Sequence, residues 1–158
     1  MATINATLNI NSDIGSYGMT VSNSMTMTKA GSTTGLDKAT GLTRTTLTST
    51  NEVDLLTVGA APVADVTANK AAKLYIKNVN TDSTEYFTVG LGRKSGGASK
   101  QAFAVSDGSG DERSVEIGRL YAGDFMIIPW AAASDENDIF VKPSVATNMV
   151  IEYMVFYE

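Results

Sequence analysis

The chain has no cysteine and no histidine. Without cysteine there are no disulfides and no thiolate metal sites, which fits a reducing compartment. Without either residue, Ser-His and Cys-His nucleophile pairs and histidine-based metal centres are excluded. Charge is also scarce. Only 18% of the 158 residues are charged, and the net charge is −5, below the roughly 25% charged share usual in globular proteins. An acidic chain with a pI near 4.7 lacks the basic stripe that nucleic-acid binding uses to displace counterions. No apolar run approaches the ~18 residues of a membrane span, and no signal peptide is read at the N-terminus.

What replaces the missing charge is Thr, Ser and Asn. Thr suits a half-buried pleated strand, whereas Ser and Asn favour turns and weaken helices. Hydrophobic residues make up 43%, so one domain of this length has the material to bury a core.

Period-2 alternation dominates, the mark of strands with one buried face. Ile4, Ala6, Leu8 and Ile10 alternate with polar residues. Tyr17, Met19, Val21, Met25 and Met27 do the same, with Asn23 breaking the apolar row as a possible bulge. Residues 29–41 read as a loop, 42–49 and 52–58 as strands, and the Ala-rich 60–72 mainly as a connection. Residues 74–79 and 86–91 predict a hairpin around an Asn-Thr-Asp-Ser turn. Further strands are expected over 114–120, 124–128, 138–142 and 149–157.

All aromatic residues except Tyr17 lie from Tyr75 onward. Aromatic side chains supply the largest buried areas. The fold class is therefore all-β, an antiparallel β-sandwich or jelly roll with an extended Thr-rich N-terminal region. The expected division is residues 1–69, a Thr/Ser/Asn-rich β region or arm, and 70–158, the compact sandwich. The first sixty or so residues either add strands to that body or reach toward neighbours.

Motifs that would carry chemistry fail one by one. Carboxylates gather at Asp107, Asp111 and Glu112, and at Asp135, Glu136 and Asp138. Glycosidases use paired carboxylates, but turns rich in Gly and Ser are where solvated acids are expected. Asp107-Gly108-Ser109-Gly110-Asp111 begins like a calcium loop. It then places Glu112 where glycine is required and Gly118 where a bidentate Glu is required. The glycines of 90–97 miss both phosphate-loop spacings. No catalytic, cofactor-binding or metal-binding residue is assigned, and the chain is expected not to be an enzyme.

Interface candidates are Met19, Met25 and Met27, whose unbranched side chains suit either a core or an adaptable contact, with Trp130, Tyr153 and Phe156. The last strand is apolar on both faces, with Glu152 its only charge inside 149–157. Such a strand is either central in a sandwich or covered by a partner.

Ile117-Gly118-Arg119-Leu120-Tyr121-Ala122-Gly123-Asp124-Phe125-Met126-Ile127-Ile128-Pro129 joins two apolar strands through an Ala-Gly-acidic turn. With Leu74-Tyr75-Ile76-Lys77-Asn78, Ile139-Phe140-Val141 and Ile151-Glu152-Tyr153, this pattern over about residues 73–158 resembles small accessory structural proteins of tailed-bacteriophage virions. The resemblance implies a capsid decoration (cement) protein, with a neck, tail or fibre subunit as the alternative. It implies the major capsid protein or other virion subunits as partners, a homo-oligomer such as a trimer, and location in the virion after assembly in the host cytoplasm. From a different class, a carbohydrate-binding module would need exposed aromatics, for which Tyr121, Trp130 and Tyr153 are the candidates.

Overall fold

The computed structural model describes residues 4–12, 19–26, 36, 38–66, 72–92, 115–132 and 137–158. Eleven strands run through them. These are β1 (Asn5–Ser12), β2 (Met19–Thr26), β3 (Lys38–Ala39), β4 (Thr43–Leu47), β5 (Val53–Leu56), β6 (Ala72–Asn78), β7 (Tyr86–Leu91), β8 (Val115–Tyr121), β9 (Phe125–Trp130), β10 (Ile139–Pro143) and β11 (Met149–Tyr157). No α-helix occurs among the described residues, and none there is long and apolar enough to cross a membrane.

Two antiparallel sheets form the body. The first runs β3-β11-β6-β9, with β4 also on β11; the second runs β5-β10-β7-β8. From β4 onward every connection crosses between sheets except β7–β8. That order, β4-β11-β6-β9 over β5-β10-β7-β8, is a jelly roll. The third sheet is the hairpin β1–β2 alone.

Alternation explains the layers. Along β6, Ala72, Leu74, Ile76 and Asn78 are buried, while Lys73, Tyr75 and Lys77 are half-buried on the outer face. Leu74 and Ile76 meet Phe87 and Val89 of β7, Ile139 and Val141 of β10, and Ile151 and Val155 of β11 in one core. Each such side chain contributes about 1.5–3 kcal/mol when fully buried.

Several expectations are corrected. Strands β6 and β7 do not form a hairpin: β6 pairs with β11 and β9, β7 with β10 and β8. A turn signature fixes a chain reversal but not which ladder each strand joins. Asn23 marks no bulge, because β1 and β2 pair in unbroken register from Asn5↔Thr26 to Ser12↔Met19. The sandwich is also not confined to residues 70–158. Strands β4 and β5 close its edges, and Leu47, Leu55, Leu56, Val63 and Val66 enter its core. β3 lies in a stretch read as loop; Thr40-Gly41-Leu42 interrupts an otherwise continuous edge, with Gly41 at φ 82°.

The two-faced strand β11 is central, flanked by β6 on one side and by β3 and β4 on the other. Its inner side chains, among them Ile151 and Val155, are fully buried, and Val150, Met154 and Phe156 are half-buried outside.

Candidate interaction surface

Among the described residues, strands β8 and β9 are the last strands of their sheets, each with one partner, β7 and β6 respectively. Their sequences are too apolar for that position. On β8 only Leu120 is buried, and Val115, Ile117 and Tyr121 are exposed. On β9 Phe125 and Ile127 are 55% and 43% exposed, and Trp130 alone is buried.

The turn joining them is tightly specified. Gly123 adopts φ 85°, a conformation that favours glycine. The Asp124 carboxylate accepts the Tyr121 N–H at 2.9 Å, and the Asp124 N–H returns to the Tyr121 carbonyl at 2.9 Å. Buried Asn78 holds the turn from beside it. Its side-chain amide donates to the Leu120 carbonyl at 3.0 Å, and its backbone exchanges hydrogen bonds with Gly123 and Asp124 at 3.0 Å each.

Aromatic rings flank both strands. Tyr75 and Phe125 have centroids 6.4 Å apart, and Tyr86 and Tyr121 5.2 Å. The Arg119 guanidinium lies 4.8 Å from the Tyr86 centroid, within cation–π range.

The hairpin stands across a cleft from β9. Cross-strand partners share a face, so Leu8 and Ile10 of β1 stand with Val21 and Met19 of β2; the four are between 42% and 55% exposed. The other face is a polar ladder. Ser22 Oγ donates to Asn9 Oδ1 at 2.6 Å, and Thr26 Oγ1 to Asn5 Oδ1 at 3.0 Å. A cleft of about 460 Å³ separates hairpin and sandwich, lined by Ala6, Thr7, Leu8 and Asn23 on one side and by Lys73 and 125–129 on the other.

Nine of the ten large apolar side chains exposed among the described residues thus lie on the hairpin, β8 and β9; Leu42 is the tenth. Of these, Leu8, Phe125 and Ile127 line one cleft, and exposed apolar side chains that share a concave surface mark an interaction site.

The predicted site residues are divided by the structure. Met19 is exposed on the hairpin's apolar face, and Met25 pairs with Ala6 in the ladder. Met27 lies outside the described residues. Trp130 and Tyr153 are buried in the core and offer no surface; the Trp130 indole N–H donates to the Asn137 carbonyl at 2.8 Å. Phe156 is half-buried beside Ala39 and Lys73. With Trp130 and Tyr153 buried, only Tyr121 of the three sugar-platform candidates is exposed, so that stacking row does not exist.

Sequence reasoning missed Leu8, Ile10, Val21, Phe125 and Ile127. Phe125-Met126-Ile127-Ile128 is apolar on both faces, as β11 is, but that pattern does not separate an enclosed strand from one that ends its sheet.

Asp138 is buried and structural. Its carboxylate accepts the Val58 N–H at 2.7 Å and its carbonyl the Gly92 N–H at 3.0 Å. Asp107, Asp111, Glu112, Asp135, Glu136 and the loop 93–100 lie outside the described residues. Among those described, no three His, Cys, Asp or Glu gather as metal ligands.

No family model, no curated protein and no solved structure matches the chain.

Proposed function

We propose that the chain is a structural subunit that attaches to a larger assembly through the hairpin and the β8–β9 side, and that it is a capsid decoration protein of a tailed-bacteriophage virion. The observation that carries the attachment is the apolar outer face of β9, where exposed Phe125 and Ile127 share a cleft with Leu8 of the hairpin. The resemblance of residues 117–129 to virion accessory proteins supplies the finer assignment, with the major capsid protein as partner. A protein that binds only the assembled shell stabilises it by mass action. Lattice sites repeat by symmetry, so a homo-oligomer suits the role. The reading needs no catalysis: the chain has no His or Cys, and Asp138 spends its carboxylate on the Val58 N–H.

The test is mass spectrometry of purified virions from the virus encoding the chain, with co-sedimentation of the purified protein on emptied shells. The chain is expected at many copies per particle, and Phe125→Ser/Ile127→Ser is expected to stay unbound. Absence from the virion, or binding unaffected by that double substitution, overturns the reading.

A further inference from the structure

Every outer strand of the sandwich carries a feature that discourages pairing with another chain. The β3–β4 edge has Lys38, Arg44 and the break at Gly41; β5 has Asp54; β8 has Glu116 and Arg119; β9 has Pro129. Charged side chains, proline and irregularities are the means by which natural edges avoid strand addition. The hairpin has none of them. Residues 4–12 and 19–26 contain no Lys, Arg, Asp, Glu, Pro or Gly, and the ladder is unbroken across eight pairs.

Its two edges differ. Consecutive residues Ala6, Thr7 and Leu8 of β1 line the cleft against the sandwich, whereas only Asn23 of β2 reaches it. The outer edge of β2 is therefore the one turned away from the body, with its backbone groups unclaimed by any other strand among the described residues.

We infer that this edge is self-pairing: β2 adds antiparallel to β2 of a second copy, giving a four-stranded sheet β1-β2-β2-β1 across a two-fold axis. Two arguments select a second copy. The described hairpin is uncharged, so it offers a charged partner nothing complementary, and it brings identical chains together where none of their net charge of −5 is carried. Short polar side chains already hydrogen-bond across the ladder between β1 and β2, Thr7 with Ser24, Ser22 with Asn9 and Thr26 with Asn5, and the Thr and Ser of β2 can continue it across an isologous join. A lone two-stranded hairpin is marginal in water, while more strands sharing an apolar face hold together. The inference takes from the proposed function only that the hairpin is an interaction element.

The experiment is light scattering of the full chain alone, without particles, across a hundredfold concentration range. Twice the chain mass is expected at the upper end. Thr20→Lys/Ser24→Lys and Thr20→Glu/Ser24→Glu should each run at the mass of one chain, because like charges face each other across the join. Their unfolding midpoints should match the unsubstituted chain, and mixing the two variants should restore the doubled mass. A single-chain mass at all concentrations, a trimer, or a dimer that survives the Lys pair overturns the inference. A monomer that still binds shells, and loses that binding with Phe125→Ser/Ile127→Ser, refutes self-pairing while leaving the attachment reading intact.

Discussion

Arg44 Nε donates to Glu152 Oε2 at 2.7 Å, fastening the edge strand β4 to the central strand β11 on the outer face of the sandwich. The Glu152 side chain is 8% exposed and the Arg44 side chain 65%. Tyr75 of β6 donates its hydroxyl to the other carboxylate oxygen at 3.1 Å, so one acid ties three strands together.

The hydrogen bond from Arg44, assisted by that from Tyr75, holds the Glu152 carboxyl below its ordinary range against the opposing effect of burial. A depressed folded value means the contribution to stability is complete above the unfolded value, about 4.3, and is lost as pH falls through the folded one. Thermal midpoints taken from neutral to acid pH should fall more steeply for the unsubstituted chain than for Glu152→Gln. Arg44→Ala should cost about 1 kcal/mol at neutral pH, modest because Arg44 is largely solvated.

Tyr75 titrates in the opposite sense. Burial first, then the hydrogen bond to Glu152, pushes its phenol up. Its stabilising share is present below the unfolded value of about 10 and lost as pH rises through the raised one. Tyr75→Phe should flatten the alkaline limb of the same midpoint curve.

Asn78 joins the segment after β6 to the β8–β9 turn. Its Oδ1 accepts from the Asn80 N–H at 3.0 Å and the Asn80 amide at 2.6 Å while its own amide reaches Leu120. Asn78→Ala strands these buried groups and should destabilise by about 2–3 kcal/mol, read from denaturant midpoints. Asn78→Asp should do no better at neutral pH, since a carboxylate cannot donate to the Leu120 carbonyl.

Gly90 makes room for Phe140 of the neighbouring strand. A Cβ there would overlap the Phe140 ring at Cζ and lie 2.6 Å from the Val115 carbonyl oxygen. Gly90→Ala should cost about 1–3 kcal/mol by overpacking. Adding Phe140→Leu should recover part of the loss, a coupling measurable by a double-mutant cycle.

Among the described residues, strands β1 and β2 pair only with each other, and none of the described core side chains comes from them. Deleting residues 1–30 should leave the unfolding midpoint of the body nearly unchanged while weakening particle attachment and self-association. A truncated chain that attaches as tightly as the full one would show that the hairpin plays no part.

Met19 of the candidate surface was legible from alternation alone, because an amphipathic hairpin shows its faces in its own sequence. Phe125 and Ile127 were not, because their exposure follows from β9 lying last in its sheet. Trp130 illustrates the reverse: three residues beyond Ile127 on the same strand, it turns inward opposite Ala72.

By itself the sequence determined every described strand but the two-residue β3, since one-sided burial imposes a period of two on neighbouring residues. It also determined the lack of histidine and cysteine chemistry. Which strand lies beside which was decided only by the tertiary structure. β9 and β11 share the same two-faced apolar pattern, yet β11 is enclosed between β6 and β4 while β9 ends its sheet. Ladder partners are chosen by contacts distant in sequence, and they alone make one such strand core and the other surface.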